Sequence, residues 1–343
     1  MDIAKGIGIA LVVFGHSDLL PDIKSPESYI YIKRIIYVFH MPLFFVISGY
    51  LLVSNINIAD NLSDYYSFVK KKSAKLLLPY MSISIGLIVI KLIGRMFTHI
   101  QYPVDRMSFY NLFLQPDEGA VMHLWFVYVL FMMYVTVPLS YKVSHNINIV
   151  MAGSLLLLLF AWPSVFELNN LLEHLPFFIG GIIFYRYDLL NKCNPYIALF
   201  SLLIVFIAGV SLMNMAPDYW KLTYWELSYS YKIIKTVTSL SGACMVIFVS
   251  IIIVSLNDCL AMPESILRLF GIYSASIYFL HTFFLGAVKV FIVRIMHVDT
   301  SFWLPMTVKC LAGLLLPVIF EKYILDRTPL IRKYLIGVSK PVR

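Results

Sequence analysis

Runs of about twenty apolar residues recur from one end of this chain to the other. We count ten, at roughly 3–20, 35–53, 75–95, 121–140, 147–162, 174–187, 196–213, 236–256, 267–294 and 303–325. That length is the hydrocarbon thickness of a bilayer divided by the rise per helical residue. In lipid a segment must pair its own backbone groups, so such runs form helices rather than open strands. The expected fold is therefore all-α: a polytopic membrane helix bundle with about ten transmembrane helices, the fifth and sixth being the shortest. Of the 343 residues 60% are hydrophobic and 13% charged, roughly half the charged share of a soluble domain. The first run begins close to Met1 and passes into SDLLPD with no small-residue cleavage site, so it is expected to be a retained helix.

Basic residues orient the bundle. Lys70, Lys71, Lys72 and Lys75 crowd the second loop, and Lys322, Arg327, Arg332, Lys333, Lys340 and Arg343 crowd the tail. Basic loops stay in the cytoplasm, so both termini are expected there, as an even helix count requires. The opposing loops also carry Lys24, Lys33, Arg34, Arg106, Lys221, Lys232 and Lys235, which makes the bias partial. This divides the chain into a membrane domain, 1–325, and a basic cytoplasmic tail, 326–343. The net charge of +8 suits anionic membrane lipids or an anionic soluble cosubstrate; nucleic acid is not an expected partner. Cys193, Cys244, Cys259 and Cys310 have no paired spacing, so neither a disulfide framework nor a zinc site is expected. We find no internal repeat and no inverted halves. Among the polar stretches near 54–74, 96–120 and 214–235, the last reads APDYWKLTYWELSYSYK. That pattern fits an interfacial aromatic belt, with acceptor binding as the alternative.

The polar residues inside the apolar runs carry the functional signal. Lys5 and His16 stand eleven positions apart, almost three helical turns, on one face and about 16 Å apart along the axis. Ionisable groups at membrane depth are costly unless they line a cavity or find partners. In YVFHMPLFFVISGYLLV, His40, Phe44 and Ser48 recur at every fourth position, and Pro42 frees a backbone carbonyl. Ser48 followed by Gly49 fits either a polar role or a packing notch for a neighbouring helix. His16, His40, His123 and His281 fall at comparable depth on separate helices, which argues for one shared polar cavity over four isolated core histidines. No HExxH or carboxylate-paired pattern accompanies them, so no metal site is expected. Lys72 and Lys75 lie one turn apart at the basic end of the third run, with Lys5 in the same layer. Their readings are topogenesis or the holding of a polyanion.

At these residues the chain resembles the acyltransferase type 3 family of bacterial membrane O-acyltransferases, most closely its fucose 4-O-acetylase-like branch. The family pattern of a basic residue, ten others and a histidine is met by Lys5 and His16, with Lys where much of the family has Arg. FFxxSG is met by Phe44, Phe45, Ser48 and Gly49, and a basic pair three apart by Lys72 and Lys75. HLWF at 123–126, PFFIGG at 176–181, YFLH ending at His281 and FEKYILDRTP at 320–329 follow in family order. Lysine for arginine removes the planar fork that grips phosphate in two places.

The resemblance implies an integral protein of the bacterial cytoplasmic (inner) membrane that moves an acyl group, usually acetyl, from cytoplasmic acyl-CoA to a hydroxyl of a surface carbohydrate. Acetyl-CoA would be a cosubstrate; no permanently bound cofactor is implied. Lys5, His16, Ser48 and His40 are then the candidate catalytic residues. His16 serves as general base or as a transient acyl carrier, and Ser48 or His40 orients it or donates to the oxyanion. Lys5, Lys72 and Lys75 are candidates for binding the donor's phosphates, and His123, Trp125 and His281 for binding the acceptor. The competing class is a transporter or flippase for a small anionic or lipid-linked substrate, with histidines relaying protons.

Overall fold

The computed structural model describes residues 1–18, 25–94, 104, 107–118, 121–216, 219–295 and 302–338, less the side chains of 94, 257–259, 290 and 292–295. Lys24, Arg106, Lys340 and Arg343 lie outside them, as does much of the stretch 96–120. Every regular element among the described residues is helical. In chain order they are α1 (Asp2–Gly15), α2 (Glu27–Leu52), α3 (Leu62–Gly94), α4 (Met107–Leu114), α5 (Trp125–Ser144), α6 (Ile147–Leu157) and α7 (Leu168–Arg186). There follow α8 (Leu189–Lys192), α9 (Pro195–Met215), α10 (Tyr229–Ser255), α11 (Asn257–Ile272), α12 (Ser274–Ile295), α13 (Trp303–Tyr323) and α14 (Pro329–Ile336).

Each of the ten apolar runs has a helix, but not each helix is a full span. Among the described residues six are long and apolar enough to cross a bilayer, and a seventh is added if α11 and α12, bent by 82°, count as one. The ninth run is thus two helices. α1 has 14 residues, about 21 Å at the helical rise, and α6 has 11. α7 carries Asn169, Asn170, Glu173 and His174 in its first half. α1 and the first half of α7 are sheltered by their neighbours, as short or polar membrane helices must be, whereas α6 buries only Ile147 and Ser154.

Lipid offers no hydrophobic drive for one helix to join another, so close packing at small residues holds the bundle together. A Cβ on Gly49 of α2 would fall 1.8 Å from the Phe178 carbonyl oxygen of α7, and one on Gly181 of α7 would fall 1.9 Å from the Val46 oxygen of α2. The two backbones touch from both sides. α1 meets α11 in the same way, Gly6 against the Leu267 carbonyl and Gly271 against that of Asp2.

The basic tail does not begin as a free extension. Arg332 of α14 is fully buried, ion-paired to Glu321 of α13, which also accepts from Ser276 of α12. A second pairing to Asp326 spans 3.3 Å. α14 packs on α3, and Gly337, at φ 79°, ends it against the backbone of Lys75.

Candidate active site

α1 stops at Gly15, and His16 is the first residue past it, at φ −97° and ψ 4°. The Ser17 hydroxyl donates to the Val13 carbonyl at 2.6 Å and closes the end. His16 therefore sits on a helix terminus and not inside a span.

From there its ring faces a cavity of about 360 Å³ whose walls include His40 and Tyr37 of α2, His123 and Trp125 at the start of α5, His174 of α7 and Tyr278 of α12. The His16 and His281 rings are 5.3 Å apart, and those of His123 and His281 5.9 Å. All four histidines singled out in the sequence thus converge, and Trp125 joins them, its ring 5.3 Å from that of His174.

Three of these imidazoles are fixed by their own helices. Nδ1 of His40 donates to the Ile36 carbonyl at 3.0 Å, Nδ1 of His174 to that of Asn170 at 2.9 Å, and Nδ1 of His281 to that of Tyr278 at 2.8 Å. A carbonyl only accepts, so each Nδ1 carries the proton and each Nε2 presents a lone pair. His123 is held by the Thr282 hydroxyl, 3.0 Å from its Nε2, and its carbonyl accepts from the Tyr278 hydroxyl at 2.6 Å. Among the described residues, His16 is the cavity histidine whose ring makes no hydrogen bond. Neither of its ring nitrogens is tied to a backbone carbonyl, so unlike His40, His174 and His281 its orientation and tautomer are not fixed by its own helix.

His174 was not foreseen, although a signal for it exists. His40-Met41-Pro42 followed by phenylalanines on α2 is echoed by His174-Leu175-Pro176-Phe177-Phe178 on α7. Those are the two helices locked together at Gly49 and Gly181, so the echoed histidines arrive side by side.

A lid of loop residues closes another wall. Glu167, fully buried, accepts from the backbone N–H of Asp117 at 2.8 Å and from Asn170 Nδ2 at 2.6 Å, while Asn170 Nδ2 also reaches Asp117 Oδ2 at 3.0 Å. These bonds hold Phe166 and Glu167 in the left-handed region, at φ 57° and 56°, a conformation that costs of order 1–3 kcal/mol per residue. Burial pushes the Glu167 carboxyl from 4.5 up to about 8, and proximity of Asp117 adds to it. An acid whose folded-state pKa is raised contributes stability that is present below its unfolded value and lost as pH rises through the folded one. We expect thermal stability to fall between about pH 5 and pH 8, and Glu167→Gln to flatten that fall. Melting curves across this range check it; an equal slope in both proteins would place the proton elsewhere.

The lysines and Ser48 lie apart from this cavity. Ser48 lies close to the Tyr134 side chain of α5, and the Lys72 ammonium sits over the Tyr134 ring, 3.6 Å from its centre. Ser48 thus belongs with Lys72 and not with His16. Lys75 is exposed beside α14, and Lys5 pairs with Asp2 at 2.7 Å. On α1 the residues Lys5, Gly8, Val12 and His16 share one face, but the cavity lining reaches only to Val12. At Gly8 the side chains of Leu43 and Phe44 fill the space.

The described residues thus form a helical membrane bundle in which imidazoles gather around one polar cavity, with Lys5, Lys72 and Lys75 lying apart from it. The family model described as "Acyltransferase domain" matches residues 1–322, and the chain belongs to the acyltransferase type 3 family. No curated protein and no solved structure matches it.

Proposed function

We propose that this membrane acyltransferase takes acetyl from acetyl-CoA presented at the end bearing Lys5, Lys72 and Lys75, and transfers it to a hydroxyl of a cell-surface carbohydrate such as an O-antigen, capsule or exopolysaccharide. Convergence of His16, His40, His123 and His174 on one cavity, with His281 against the rings of His16 and His123 and the His16 ring unbonded, is the observation that carries this reading. In the bacterial inner membrane the basic end faces the cytoplasm, where acyl-CoA is made. The acceptor hydroxyl gives its proton to His16 as its oxygen attacks the thioester carbon. The C–S bond then breaks, and the leaving thiolate takes the proton back from the imidazolium. His40, His174 and His281, with their tautomers fixed, keep neutral lone-pair nitrogens around the reacting atoms. Phe44, filling the space over Gly8 and 5.9 Å from Phe126, is the side chain that must turn aside for the donor's arm to reach His16.

Liposomes holding the purified chain test this. Release of free thiol from acetyl-CoA in the presence of a saccharide acceptor is expected; accumulation of solute without thioester cleavage would support a transporter instead. In the same assay Lys72→Ala with Lys75→Ala is expected to raise the apparent KM for acetyl-CoA about tenfold or more, with a smaller fall in kcat. A fall in kcat alone would remove these lysines from donor binding.

A further inference from the structure

Beside the histidine cavity lies a second chamber, of about 510 Å³, that none of the roles above uses. It is walled by the first turns of α2, by Asp18 and by the connection between α9 and α10. Tyr37 and Lys235 line both chambers. The two therefore adjoin across the Tyr37 ring and the ion pair of Lys235 with Glu173, 2.9 Å long.

The chemistry of the wall is specific. Trp220 donates its Nε1–H to Asn214 Oδ1 at 2.9 Å and stands edge-on to Tyr219, with ring centres 5.1 Å apart at 88°. The half-buried Trp220 ring is thereby held still, a flat apolar face of the kind that takes the C–H face of a pyranose ring. Tyr219 is only 5% exposed, yet its hydroxyl has no hydrogen-bond partner among the described residues. A buried hydroxyl in that state is destabilising until a ligand supplies the missing bond. Of the lining cations, Lys33 is neutralised by Asp18 at 2.6 Å and Lys235 by Glu173. Arg34 is exposed to the chamber and has no carboxylate partner among the described residues. Its planar fork matches a carboxylate in two places.

We propose that this chamber is the acceptor subsite and that it selects an acidic saccharide, with the sugar carboxylate on Arg34, the ring against Trp220, and a hydroxyl bonded to Tyr219. A neighbouring hydroxyl of the same saccharide passes Tyr37 into the histidine cavity. The word acceptor rests on the acyl-transfer reading above; the binding itself does not.

The test uses the full chain in phosphatidylcholine nanodiscs, titrated calorimetrically with a galacturonic acid hexamer and with a neutral galactose hexamer. The acidic hexamer is expected to bind at least about tenfold more tightly, and Arg34→Gln to weaken it by about tenfold, the size expected for a charge-assisted hydrogen bond. Arg34→Lys keeps part of that affinity, and Tyr219→Phe lowers the affinity for both sugars. Equal affinity for the two hexamers, or an acidic hexamer indifferent to Arg34→Gln in a protein that elutes and melts like the parent, overturns the proposal. Heat released on adding phosphatidylglycerol, with none on adding either saccharide, overturns it in favour of a lipid headgroup. If the acidic hexamer binds as expected but no thiol is released from acetyl-CoA with any acceptor, the acyl-transfer reading fails and the saccharide site stands.

Discussion

His16→Ala lowers acyl transfer by about 10²–10⁴-fold, the share of rate that a positioned general base supplies, and leaves membrane insertion intact. The residue lies past the end of α1, carries no helix hydrogen bond from its side chain, and presents its ring to the cavity, so truncation opens no packed layer. Mass spectrometry of the surface glycan reads the result in cells, and thiol release reads it with purified protein. Product retained at the parental level would remove His16 from the chemistry. His40→Ala is expected to behave differently, because that ring is buried and bonded to the Ile36 carbonyl; stability and activity should fall together there.

Gly49→Ala has the larger structural effect. The new methyl would meet the Phe178 carbonyl at 1.8 Å, and a backbone atom, unlike the tip of a side chain, cannot rotate away. We expect at least about 3 kcal/mol of destabilisation, the upper range for overpacking, or no monodisperse protein at all. Activity should be lost in whatever folds, since separating α2 from α7 separates His40 from His174. Gly153→Ala is the matched control: nothing lies within 4 Å of a Cβ there, and a change within about 0.5 kcal/mol is expected. Thermal melting and size-exclusion profiles in detergent compare the two. A Gly49→Ala protein that melts with the parent would mean that the α2–α7 contact is looser than described.

Much of this protein is written locally. The hydrocarbon-length runs dictated helices, because lipid leaves the backbone no other way to pair its polar groups, and each run produced at least one. Motif spacing around Lys5, His16, Phe44 and Ser48 was enough to reach the family. Depth along each helix, reckoned from a fixed rise per residue, was enough to bring His16, His40, His123 and His281 to one level. Ser48 shows where such reckoning stops. It shares a face with His40 but lies two turns lower, and which neighbour it meets depends on α5, whose Tyr134 takes it into the Lys72 layer. Equally hidden were the 82° break between α11 and α12, the docking of α14 through Arg332, and the early end of α1.

Sequence alone therefore determined the solvent this chain folds in, its helical class, its family and the level at which its imidazoles sit, since each follows from composition and from a regular rise along one segment. Tertiary structure alone decided which side chains share a cavity. It added His174, set Ser48 apart, fixed the tautomers of three histidines while leaving His16 unbonded, and placed a second chamber across Tyr37. The reason is physical: membrane helices associate through close contact at positions such as Gly49 and Gly181, and a pattern within one helix does not state which neighbouring backbone will fill the notch.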